Sequence, residues 1–137
     1  FIVFDQKYYV SYFSEWKYKF YSLQSVVDTM IIDNNAGIND WDQQEAKSFV
    51  IGKSKIPTGC IYEHIAPLCL LGYTKIAAEQ GEWAAATALR IISGESPSKI
   101  GITHNKKGEL FVNLPVAKSL GITVPINMLK TATVIKD

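Results

Sequence analysis

Hydrophobic positions change period along this chain, and each change marks an element. The opening residues Phe1 to Tyr9 are rich in β-branched and aromatic side chains and predict a strand. From Ser14 the pattern becomes helical: Trp16, Phe20, Leu23 and Val27 recur on one face, with Lys17, Lys19 and Gln24 between them. Asp28 to Asp33 encloses the continuous run Met30-Ile31-Ile32, which predicts a strand covered on both faces, as in a parallel sheet. Asn34 to Gly37 reads as a loop. Asn39 or Asp40 then caps a helix through Gln44, Ala46, Phe49 and Val50, with Gly52 as its stop. Ile56 to Ile61 predicts another strand, its proline at the entrance where a missing N–H matters least. A helix follows over Glu63 to Leu71 with Pro67 in its early turns, and Tyr73 to Ala77 reads as either a strand or a connector.

The clearest helix is Gln80 to Ser93. Trp83, Ala84, Thr87, Ala88 and Ile91 share a face, alanine has the best helix propensity, and Ser93-Gly94 is the stop. Ile100 to His104 and Glu109 to Val112 flank Asn105-Lys106-Lys107-Gly108, a hairpin pattern. Val116 to Leu120 predicts a short helix and Met128 to Ile135 a terminal one. Strands alternating with helices across short connections imply an α/β fold, three-layer α/β/α around a mainly parallel sheet.

A chain of 137 residues can bury roughly two thirds of its unfolded surface, enough for one core. Its net charge of +1 offers no electrostatic reason for binding nucleic acid or an anionic membrane, and Lys106-Lys107 reads as a solvated turn. No apolar run approaches the ~18 residues of a membrane helix. Phe1 to Val10 lacks the parts of an export signal, and the absence of an initial methionine suggests a fragment or processed product. Cys60 is expected to end a strand and Cys69 to lie in the following helix, as two buried thiols rather than a disulfide. Two cysteines and the distant His64 and His104 show no metal-ligand spacing. Glycine-rich cofactor loops and a nucleophile elbow are absent, and Gly52-Lys53-Ser54 lacks the upstream glycine of a phosphate loop. Cys60 and His64 lack an orienting third group. Neither a cofactor nor catalysis is expected.

In an open parallel sheet, ligands sit beyond the C-terminal strand ends. Three loops qualify: Ser11 to Ser14; Asp33 to Gly37, followed by Trp41; and Thr58 to His64. They supply the candidate ligand-binding residues Tyr12, Asp33, Asn34, Asn35, Trp41, Thr58, Tyr62 and Glu63. Carboxylates pair with an ammonium, amides and helix N-termini hold a carboxylate, and aromatic walls exclude water, so the mixture suits a small polar or zwitterionic solute. Each has a plainer reading. Asp33-Asn34-Asn35 can be turn chemistry alone. Trp41 can be a packing anchor, like Trp16 and Trp83, and Tyr12 an exposed strand end. Glu63 can be a first-turn acid favoured by the helix dipole, with His64 a cap.

The order of several short motifs adds a resemblance. Ile56-Pro57 is followed by Gly72-Tyr73, then by Glu79-Gln80-Gly81-x-x-Ala84-Ala85-x-x-Ala88-x-x-Ile91-x-x-Gly94. Val112-Asn113, Ala117, Leu120-Gly121-Ile122 and Pro125 come after. The series resembles the C-terminal portion of periplasmic solute-binding proteins of ABC transporters, in the type I superfamily and its uncharacterised-substrate and aromatic-amino-acid branch. The resemblance implies two α/β lobes closing on a solute about a hinge. Residues 1–72 would be a second-lobe segment. Residues 73–137 would be a hinge-crossing segment of helices and hairpin, with the C-terminal part of the first lobe. It further implies a small-molecule solute, an ABC permease or signalling partner at the membrane, and an extracytoplasmic location. Half the cleft would be missing from this length, which suits weak binding, pairing as a homodimer, or a piece of a longer protein. A ligand-sensing domain of a signalling receptor or kinase is the alternative. A small α/β enzyme and a ligand-free interaction domain are more distant readings.

Overall fold

The computed structural model describes residues 3, 4 and 6–137. Five strands form one sheet in the order β1 (Met30–Ile31), β2 (Thr58–Cys60), β3 (Leu71–Lys75), β4 (Gly108–Asn113) and β5 (Thr133–Ile135). β1, β2 and β3 run parallel, β4 is antiparallel to β3, and β5 is parallel to β4. Helices α1 (Phe13–Leu23), α2 (Gln43–Lys53), α3 (Ala77–Ile92), α4 (Leu114–Ser119) and α5 (Ile126–Leu129) connect them. The α/β class and the mainly parallel sheet agree with the sequence pattern. None of the described helices is long and apolar enough to cross a membrane.

The core lies where α1, α2, α4 and a six-residue 3-10 segment, Glu63–Leu68, meet the sheet. Ile65, Leu68, Cys69, Val50, Val112 and Val116 are the largest of the fully buried side chains. The expected helix over 63–71 is therefore a short 3-10 turn, and Leu71 opens β3 instead. Pro67 lies inside the turn, and three of its six residues (Ile65, Ala66 and Leu68) are buried. Tight i→i+3 turns of this kind are held by packing more than by propensity. Beneath it the backbones come close: a Cβ on Gly72 would lie 2.9 Å from the Cys60 sulfur and 3.4 Å from the Phe111 Cβ. Both cysteines are free and buried, Cys60 at the end of β2 and Cys69 directly after the 3-10 turn. The neighbouring Cys60 thiol and burial together push the Cys69 thiol up.

Five expectations are corrected. The described part of Phe1 to Tyr9 forms no strand; Val3, Phe4 and Tyr9 are exposed, and Tyr12 makes only an isolated bridge with Asn39. Phe1, Ile2 and Asp5 lie outside the described residues. β-Branched and aromatic content does not make a strand without a neighbour to take its hydrogen bonds. The helix expected from Asn39 or Asp40 starts later, because Asp42 is the cap: its Oδ1 accepts the Glu45 N–H at 2.8 Å. Asp40 has φ +54° and instead accepts the Phe13 N–H at 3.1 Å. The helix also passes through Gly52 to Lys53. An Asp42→Ala variant should lose about 1 kcal/mol of stability, the usual worth of such a cap, measured by urea unfolding.

The hairpin over 100–112 does not form either. Ile102 is almost fully exposed, and β4 pairs instead with β3 over five residues, Leu71 opposite Val112 through Lys75 opposite Gly108. A five-residue antiparallel partner outcompetes a local turn whose first arm has nothing to bury. The terminal helix over 128–135 likewise breaks: α5 ends at Leu129, and Thr133-Val134-Ile135 adds to the sheet beside β4. That triplet is β-branched throughout and fits a pleated edge. The junction at residues 72–73 falls inside β3, which pairs with β2 on one side and β4 on the other.

Candidate functional site

Because β1, β2 and β3 are parallel, their C-terminal ends share one edge of the sheet, and the antiparallel β4 starts there. Neighbouring strands lie about 4.8 Å apart, so four chain segments are brought side by side. They are Asp33 to Asn35 after β1, Ile61 to His64 after β2, Lys75 at the end of β3, and Asn105 to Lys107 before β4.

The first two segments touch. His64 Nε2 lies 3.4 Å from Asn34 Oδ1, and the Tyr62 and His64 rings are 5.7 Å apart. Asn34 also does turn work, since its Oδ1 accepts the Ala36 N–H at 2.9 Å. The Asp33 carboxylate accepts the Asn34 N–H at 2.8 Å through Oδ1 and pairs with the Lys7 ammonium at 2.5 Å through Oδ2. Lys7 first, then that backbone N–H, hold the Asp33 carboxyl below its usual range. Asn35 is half-buried with its carbonyl accepting the Ile38 N–H, and Glu63 is exposed. Tyr12 is exposed on the neighbouring segment, where Asn39 donates both its N–H and its amide to the Ser11 carbonyl.

Two candidates sit elsewhere. Trp41 packs against Phe13 and Trp16, with ring centroids 4.9 and 5.1 Å away, and its indole N–H is donated to Gln43. Thr58 is buried at the start of β2, where its hydroxyl accepts the Leu70 N–H at 3.0 Å. Trp41 therefore belongs to the aromatic cluster that joins α1 to α2, and Thr58 ties β2 to the entry of β3.

Tyr62 also lines a shallow groove of about 330 Å³, together with Ile61, Tyr73, Lys75, Lys106 and Lys107. The Lys106 and Lys107 backbone N–H groups both donate to the Glu79 carboxylate, at 2.9 and 3.1 Å. Those two bonds hold Glu79 below the ordinary carboxyl range. They also fasten the start of α3 to the segment entering β4. Three lysines thus border one groove, and the Glu79 carboxylate beside it is committed to backbone. Reading the residues in order missed this half of the site. Tyr73, Lys75, Lys106 and Lys107 meet only through the β3–β4 pairing, whereas the local pattern assigned 105–108 to a hairpin turn. Alternation along β3, with Gly72 and Thr74 buried and Tyr73 and Lys75 exposed, was the available signal.

Residues 14–136 match the family model described as ABC transporter substrate binding protein. The chain belongs to that family. Solved structures agree in fold with this substrate-binding family member. A conserved domain protein from Vibrio cholerae O1 biovar eltor superposes with a TM-score of 0.65 at 17% identity. An ABC domain from Streptococcus pneumoniae, in complex with L-Trp, gives 0.64 at 19%. A ligand-free, open substrate-binding protein with adhesive properties from Clostridium difficile gives 0.59 at 19%. Each match covers 90% of this chain and 41% of the other, so the chain spans less than half the length of these structures. No curated protein matches the chain.

Proposed function

We propose that this chain is part of an extracytoplasmic solute-binding protein that delivers a small, amino-acid-like ligand to an ABC permease and does not turn it over. One observation carries the reading: Tyr62, whose ring neighbours His64 beside Asn34 and the Asp33 carboxylate, also lines the groove that Lys75, Lys106 and Lys107 border. A zwitterion needs both signs of charge. Its ammonium pairs with a carboxylate, its carboxylate with lysines, and its side chain lies on the phenol faces. The groove volume is at the low end of small-ligand sites, which suits a cleft completed from a second lobe. An excursion toward a second lobe is supported by α3 alone among the segments after Tyr73: only Thr87 is buried along it, while Trp83, Leu89 and Ile92 are exposed. The family's description as substrate-binding supports a non-catalytic role, and the bound L-Trp of the pneumococcal domain makes an aromatic amino acid the first ligand to test.

The test is calorimetry of the intact protein with L-tryptophan and a panel of amino acids. Asn35→Ala and Glu63→Ala should each weaken binding by about 1–3 kcal/mol through lost polar contacts, with little change in stability. Unchanged affinity in both variants removes these loops from the site.

A further inference from the structure

We infer that Lys7 is an internal occupant of the ammonium position at Asp33, so that the segment before α1 competes with the cationic end of the solute. The inference rests on the binding reading above.

The contact is made by a segment with little else to hold it. Residues 6–10 form no helix or strand, and among the described residues no backbone hydrogen bond ties them to the sheet. Lys7 nevertheless reaches the sheet edge, where its Nζ lies 2.5 Å from Asp33 Oδ2 and 5.3 Å from the Tyr9 ring centroid. Tyr62 is close enough to add to the field at the ammonium. A carboxylate below and aromatic faces beside it form the environment that a primary ammonium group selects. Lysine carries that group on a flexible stem. Both side chains stay water-accessible, 50% for Lys7 and 39% for Asp33, so the pair is of the weak, exchangeable kind. A ligand ammonium can displace it. Until it does, the apparent affinity falls by the fraction of molecules in which Asp33 is free.

Three ligands with one ring system separate the contributions: L-tryptophan, tryptamine (ammonium without carboxylate) and indole-3-propionate (carboxylate without ammonium). They are titrated calorimetrically into the intact protein and its variants. Lys7→Ala should tighten L-tryptophan and tryptamine by about two- to six-fold, the range that an exposed ion pair allows, and leave indole-3-propionate unchanged. Lys7→Arg should keep the wild-type affinities. Lys19→Ala removes a cation from the same region, where its ammonium lies 4.6 Å from the Tyr8 ring. It should change none of the three. In an Asp33→Asn background the Lys7→Ala gain should vanish. If Lys7→Ala leaves L-tryptophan binding unchanged or weaker, the inference is overturned while the site stands. If Asp33→Asn leaves the L-tryptophan affinity intact, or if no ligand binds either wild type or Lys7→Ala, both this inference and the site reading fall.

Discussion

Asn113→Ala should lower the free energy of unfolding by about 3 kcal/mol, because one side chain both caps a helix and ties two segments together. Asn113 closes β4 and opens α4, and its side chain is 2% exposed. Its Oδ1 accepts the Val116 N–H at 3.1 Å, which caps the helix, and its Nδ2 donates to the Pro67 carbonyl at 2.9 Å. Pro115 stands in the first turn of α4, where its missing N–H leaves one fewer group for the cap to satisfy. Truncation removes the cap, worth about 1 kcal/mol. It also removes the partner of the half-buried Pro67 carbonyl, at about 1–3 kcal/mol for a polar group left unsatisfied. These contacts lie at the edge of the sheet opposite the candidate site, so ligand affinity should hardly move. Urea denaturation gives the stability, and a loss below about 1 kcal/mol would mean that the side chain does not join the two segments.

Leu68→Ala should cost about 3 kcal/mol as well, within the 2–5 kcal/mol that buried leucine truncations remove through lost transfer energy and the cavity left behind. Leu68 is fully buried. Here the consequence reaches the site. The 3-10 turn carrying it has Pro67 inside and hydrogen-bond geometry poorer than an α-helix, so it owes its shape to Ile65, Ala66 and Leu68 sinking between α2 and the sheet. Loosening it frees Tyr62, Glu63 and His64. The variant should therefore show faster amide exchange at Ile65 and Cys69, whose N–H groups bond Tyr62 and Ala66. L-tryptophan affinity in the intact protein should weaken with it. A stable variant with unchanged exchange at those two amides would show that the turn stands without its core side chain.

Much of this was legible one residue at a time. Trp16, Phe20 and Leu23 announce α1 by spacing alone. Met30-Ile31 and Thr58-Gly59-Cys60 are parallel strands as read, but Ile31 is exposed rather than covered because β1 is the edge of the sheet. Alanine content and Ser93-Gly94 delimit α3 to within a few residues at both ends. Parallel pairing of β1 with β2 is what lets Asn34 meet His64, and it follows from the alternation of strand and helix. The reading failed where a partner lay far off in the chain. Residues 100–107 had a turn sequence but no second strand to hold. Thr133 to Ile135 sat in a helical frame yet found an open edge beside β4. The sequence of the opening residues has strand composition, but their described part has no strand beside it.

Local sequence alone determined α1 to α4, the parallel strands β1 and β2, and the family to which the chain belongs, because period, caps and turn residues act within a few positions of one another. Tertiary structure decided which strand pairs with which, and with it the lysine-bordered groove and the Lys7–Asp33 contact. Those meetings depend on competition among distant backbone donors and acceptors for partners, and on buried area that no short window of sequence contains.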